Sequence, residues 1–223
     1  MLRITIYEKY CNGLEFGKLI AKDKLASTEV VKVKKTIFFV VLLFMLFSYN
    51  ASAKTVGLIR ESGFVIGYGN GHIGSIHKVY RPLLLIYHVG FDAHKLFPNI
   101  IPDSKGKFTF YLEPQFNPLT KPSSQYEFGI GVGAEYRFNI LHGLDGYVMG
   151  GSGPHYISFD SKGQAKGFIF NDTLGFGLYI HIFKHSALNV GLRFRHISNA
   201  GIKKPNHGIN NYFGTIGYSL FFN

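Results

Sequence analysis

Two residues near the end of the chain have the types and spacing needed for nucleophilic chemistry. His196 and Ser198 stand two apart in the run Gly191-Leu-Arg-Phe-Arg-His-Ile-Ser-Asn-Ala-Gly201. On a β-strand, positions i and i+2 point to one face with backbones about 6.6 Å apart, a gap that side chains can span. A histidine so placed can accept the hydroxyl proton and turn the serine into a nucleophile. Spacing alone leaves a second reading open, in which the pair marks the end of an apolar strand segment, where polar residues are normal.

Other apparent motifs carry less. Gly69-Asn-Gly-His-Ile-Gly74 spells a dinucleotide fingerprint, but no helical pattern follows it, and that fingerprint works only at a strand-to-helix turn. It is expected to be a Gly-rich hairpin loop. Gly129, Gly131 and Gly133 alternate along one strand face and are expected to make room inside a narrow barrel rather than cradle phosphate. The ten histidines lack metal-ligand spacing, so neither a metal nor another cofactor is expected.

The elements that must position His196 and Ser198 have an apolar period of two rather than 3.6. Tyr126, Phe128, Ile130, Val132, Ala134, Tyr136 and Phe138 alternate with Glu127, Gly129, Gly131, Gly133, Glu135 and Arg137. Similar runs give expected strands at 62–70, 79–91, 107–116, 125–138, 144–157, 166–182, 187–198 and 210–222. Strands long enough to cross a bilayer, with one wholly apolar face, call for closure, since lipid offers no hydrogen bonds to an open sheet edge. The expected fold is all-β, an eight-stranded antiparallel transmembrane β-barrel. A soluble lipid carrier would need a ligand-sized interior, and the Gly-rich odd face of the fourth strand argues against one. The stretch 92–106, with Pro98 and Pro102, is long for a periplasmic turn and leaves room for a short helix.

Parity then places the reactive pair. Leu188, Val190, Leu192 and Phe194 share the even register with His196 and Ser198, while Asn189, Arg193 and Arg195 take the other face. The pair therefore faces lipid rather than the lumen. With both termini in the periplasm, it sits at the extracellular end of the seventh strand, level with the outer leaflet.

The N-terminal region reads as an export signal. Lys32, Lys34 and Lys35 precede about eleven apolar residues and the small-x-small site Ala51-Ser52-Ala53. The expected organisation is a mis-assigned extension over residues 1–30, a signal peptide over 31–53 and an outer-membrane barrel over 54–223. Cleavage after Ala53 removes Cys11, the only cysteine, and with it disulfides and thiolate chemistry. The remainder carries 16 Lys and Arg against 9 Asp and Glu. For an exported chain that basic balance points to anionic outer-membrane lipid rather than nucleic acid. A homodimer is left open.

The run His196-x-Ser198-Asn199-Ala200-Gly201-Ile202-Lys203-x-Pro205-Asn206-x-Gly208-Ile209 closely resembles the signature of the outer-membrane lipid A 3-O-deacylases, the PagL type. The resemblance implies a metal-free serine esterase that removes the 3-O-linked acyl chain of lipid A, the lipid moiety of lipopolysaccharide. It implies Ser198 as nucleophile, His196 as general base, and the Gly201 N–H with the Asn206 side chain as oxyanion donors. Asn199, Lys203 and Lys204 would contact substrate, with Lys162 and Lys166 in the preceding outer loop. One position departs: where the family carries a glutamate that steadies the histidine, this chain has Asn210. Asn210 keeps the even register and can hydrogen-bond His196, but it brings no charge. That implies slower turnover, a different acid, or lost activity, and no other carboxylate is near in sequence. Glu113, Glu127 and Glu135 fall on the opposite face. The rival expectation is a non-catalytic small barrel with a structural or adhesion role.

Overall fold

The computed structural model describes residues 57–74, 78–101, 106–122 and 124–222. The expected extension, signal peptide and first residues of the barrel segment lie outside them. Eight strands form one closed antiparallel barrel: β1 (Ile59–Ile73), β2 (Lys78–Asp92), β3 (Lys107–Lys121), β4 (Gln125–Leu141), β5 (Leu144–Ile157), β6 (Gly167–Phe183), β7 (Ser186–Ser198) and β8 (Ile209–Phe221). Each pairs with the next in sequence, and β8 closes onto β1 in unbroken register from Glu61↔Phe221 to Ile73↔Ile209.

Alternation divides the side chains as expected. Even positions on β4, β6, β7 and β8 face outward, and large apolar groups among them remain open, such as Leu174 at 64% and Tyr212 at 67% exposure. Such a band would be unfavourable in water and suits a hydrocarbon surround. Odd positions on these strands, and even positions on β2, fill the lumen. Gly133 makes room there, since a Cβ on it would lie 2.4 Å from the Tyr111 hydroxyl.

The lumen is crossed by ion pairs. Arg193 of β7 makes a two-pronged contact with Glu113 of β3, at 2.7 and 2.9 Å, and Glu113 also meets His88 at 2.9 Å. One residue pair along, Arg195 bonds Glu127 of β4, which also accepts from Tyr80 at 2.6 Å and from Asn117 at 2.7 Å. Arg195 further donates to Asn211 at 2.7 Å. Above this network Ile73, Tyr80, Leu119, Ile157, Phe159, Ile169, Ile197 and Ile209 form an apolar plug.

Two expectations are corrected. The Gly-rich stretch 69–74 is not a hairpin loop: β1 continues through Ile73, pairing Gly69 with Phe213 and Gly71 with Asn211. The glycines serve close approach to β8, because a Cβ on Gly69 would fall 1.8 Å from the Tyr212 carbonyl oxygen. β3 runs five residues past its expected end, to Lys121. Within that extension the Asn117 side chain accepts the β2 N–H of Leu85 at 3.1 Å. The long connection after β2 does contain a short helix, α1 (Ala93–Leu96), with Asp92 as its cap accepting from the Lys95 N–H. Among the described residues no helix is long and apolar enough to cross a membrane.

Connections at the barrel end that bears α1 include the two-residue turns 142–143 and 184–185. At the opposite end, segments 158–166 and 199–208 are stitched together. The Ala165 N–H donates to the Pro205 carbonyl and the His207 N–H to the Gly163 carbonyl, both at 2.8 Å. Glu127→Ala would leave Arg195 buried without its counter-charge, at a cost of about 3–5 kcal/mol. The expected outcome is a compact, fast-migrating band on unboiled gels that is lost at a lower temperature than for the parent.

Candidate active site

The site is assembled on the outer face where β6, β7 and β8 reach the stitched loops. Strand register places His196 opposite Asn210 on β8 and opposite Asp172 on β6, while Ser198 faces Phe170. His196 and Ser198 are half-buried and Asn210 is exposed, so the pair looks away from the lumen as parity requires. Their neighbours Arg195, Ile197 and Asn199 are all buried.

His196 Nδ1 lies 2.6 Å from Asn210 Oδ1. An amide oxygen only accepts, so this contact holds the proton on Nδ1 and leaves the Nε2 lone pair free to act as a base. The ring also needs the absence of a side chain at Gly208. That residue has φ +70°, and a Cβ on it would fall 2.7 Å from His196 Cε1. The Ser198 hydroxyl is not hydrogen-bonded to the ring in this arrangement.

The loop after Ser198 is organised by Asn199. Its backbone N–H donates to Asn206 Oδ1 at 2.9 Å, its Oδ1 accepts from the Gly201 N–H at 3.0 Å, and its Nδ2 donates to the Lys203 carbonyl at 2.6 Å. Asn199 is thus 1% exposed and sits inside the loop rather than toward a substrate. With its oxygen anchored, Asn206 has an Nδ2 donor that makes no hydrogen bond among the described residues. The Gly201 N–H is engaged by Asn199 and would have to release it to reach an oxyanion. Lys203, Lys204, Lys162 and Lys166 are all exposed on these two loops.

Two features were not foreseen. Asp172, exposed on the even face of β6, lies across from His196 and accepts from Ser152 Oγ at 2.6 Å. Its parity was readable, since it shares the register of Leu174 and Phe176, but its partner was not. Immediately beyond the site, an apolar groove of about 650 Å³ runs along the outer wall, lined by Val148, Leu174, Phe176, Leu192, Phe194 and Tyr212. Phe194 and Tyr212 are each two residues from His196 and Asn210, so the groove starts where the polar groups stop. Among the described residues, no group of three or more His, Cys, Asp or Glu is placed to hold a metal ion.

A family model described as lipid A 3-O-deacylase (PagL) matches residues 87–219, well over half of the chain. The chain belongs to the lipid A 3-O-deacylase (PagL) family. The matched segment reaches from β2 into β8 and includes His196, Ser198, Asn206 and Asn210. Among solved structures, the outer membrane enzyme PagL is similar at 20% identity and TM-score 0.53, over 72% of this chain and 99% of that one. Neisserial surface protein A (NspA) is similar at 14% identity and TM-score 0.55, over 73% of this chain and 96% of that one. At these identities the two likenesses bear on the fold. No curated protein matches the chain. The protein is thus an outer-membrane β-barrel of a lipid A deacylase family.

Gly208→Ala would push the His196 ring from its place beside Asn210. A displacement near 1 Å is expected to lower deacylation about 10–100-fold, measured on purified barrel whose gel mobility before boiling is unchanged.

Proposed function

We propose that His196 and Ser198 hydrolyse the 3-O-acyl ester of lipid A from the outer leaflet. The observation that carries this reading is the His196–Asn210 contact on the lipid-facing wall, which leaves Nε2 as a base beside a serine at the head of an apolar groove. Nε2 takes the Ser198 hydroxyl proton as Oγ attacks the ester carbonyl carbon. The carbonyl oxygen gains a negative charge, held by Asn206 Nδ2 and by the Gly201 N–H once it parts from Asn199. As the intermediate collapses, the imidazolium gives its proton to the departing sugar oxygen, leaving an acyl-serine. Water, activated by the same ring, then attacks the acyl carbon, and the fatty acid leaves with Ser198 restored.

The placement suits this substrate. An acyl chain of a bilayer lipid lies against the outer wall without leaving the membrane, and the groove offers it a path from Ser198 toward the hydrocarbon middle. Exposed Lys162, Lys166, Lys203 and Lys204 stand at headgroup level, where they can meet the phosphates of lipid A through charge-assisted contacts.

Lipid A from a Gram-negative host making the parent barrel is expected to lose one 3-O-linked chain by mass spectrometry. Ser198→Ala at equal membrane abundance should leave the profile intact. Identical profiles for the two folded proteins would favour a non-catalytic barrel. Gly214 lines the groove, and a Cβ there would meet nothing within 4 Å. Gly214→Leu would therefore fill groove space, and is expected to shift preference toward shorter acyl chains by about tenfold per few methylenes blocked, at about 0.8 kcal/mol each, as read from competing ester substrates.

A further inference from the structure

We infer that Asp172 is a positioning residue that supplies His196 with the negative charge Asn210 lacks. The inference rests on the reading of His196 as the base. During acyl transfer the ring becomes an imidazolium, and Asn210 fixes its tautomer without offsetting that charge. Asp172 is directly opposite His196 in the β6–β7 register and on the same outward face. Such cross-strand partners hold their Cβ atoms about 4.5–5.5 Å apart, within direct electrostatic reach.

Three further observations support the assignment. First, an exposed carboxylate on the wall of a membrane barrel is unfavourable unless something nearby carries the opposite charge. Second, Asp172 is held through one oxygen by Ser152 of β5 at 2.6 Å, and among the described residues its other oxygen has no hydrogen bond, so the carboxylate is available to turn toward β7 when the ring becomes charged. Third, the competing acids are engaged elsewhere: Glu113 and Glu127 face inward and pair with Arg193 and Arg195, and Glu135 accepts from Tyr179 inside the lumen. Asp172 and Asn210 thus stand on the strands either side of His196, one supplying charge and the other the acceptor that holds the Nδ1 proton. The low dielectric at the lipid boundary strengthens the attraction between the carboxylate and the imidazolium.

The test compares the parent, Asp172→Asn, Asn210→Glu and the double variant, purified in detergent, with lipid A as substrate and Ser198→Ala as blank. Unboiled gel mobility checks closure of each barrel, and Asp172→Ser replaces Asp172→Asn if the latter does not fold. Asp172→Asn is expected to lower kcat about 10³–10⁴-fold, the scale seen when a histidine loses its acid, with KM within about threefold of the parent. In the Asn210→Glu background the same change should cost less than about tenfold, because the glutamate then carries the charge. An Asp172→Asn loss that persists undiminished beside Asn210→Glu, or that falls on KM alone, would overturn the inference in favour of a contact with substrate. Parent activity that survives Asp172→Asn would overturn it as well, while leaving the hydrolytic reading in place. A parent no more active than Ser198→Ala removes that reading and this inference together.

Discussion

Arg193 and Arg195 reach across the lumen to Glu113 and Glu127, and the arrangement of the site follows from those two contacts. A charge inside a narrow barrel is strongly unfavourable unless it is paired, so these side chains have few alternatives to their observed positions. Because side chains on a strand alternate, fixing Arg193 and Arg195 inward also fixes Phe194, His196 and Ser198 outward. A slip of one residue would bring His196 into the lumen and turn an arginine toward lipid. The ion pairs thus set the facing of β7 as firmly as any contact on the outer wall.

The loop end adds a second layer of order. Ile197 and Ile209 are buried in the apolar plug directly behind His196 and Asn210, which gives the outward pair a packed backing. Beyond it, the bonds between segments 158–166 and 199–208 hold the loop that bears Asn206 against its neighbour. Asn199 ties that loop internally with three hydrogen bonds. Groups on the outside of a barrel lack the enclosure of a cleft, and in the proposed mechanism membrane lipid takes the part of the missing walls. The apolar groove fits that logic, since on the proposed reading it would accept a chain that stays within the hydrocarbon layer.

Asn210, where the family resemblance implies a glutamate, is informative because on the proposed reading it separates two tasks that one acid could perform. Holding a proton on Nδ1 needs only an acceptor, which the amide oxygen provides at 2.6 Å. Balancing the imidazolium needs a charge, which can come from another direction. Asp172 stands on the other neighbouring strand, so under the inference drawn above the two tasks are divided between β6 and β8. A barrel lends itself to such a division, because every strand residue has two cross-strand neighbours on its own face.

The sequence by itself determined which faces exist. The period-two runs located eight strands, including β7 ending at Ser198 and β8 bearing Asn210, and parity alone directed His196 toward lipid and Glu113, Glu127 and Glu135 inward. The run from His196 to Ile209 also pointed to the family that the match over residues 87–219 shows. These features are local, since alternation depends only on the pleat of one strand. Register is different: which β6 residue stands beside His196 depends on pairing between strands about 25 residues apart, and only the folded barrel shows it to be Asp172. The same holds for Gly69 and Gly71, read as a loop until their close approach to β8 explained them. Asn199 also turned inward because of where Asn206, Gly201 and Lys203 meet it. Tertiary structure decided these points, because hydrogen bonds across strands and within folded loops join residues whose proximity no local pattern encodes.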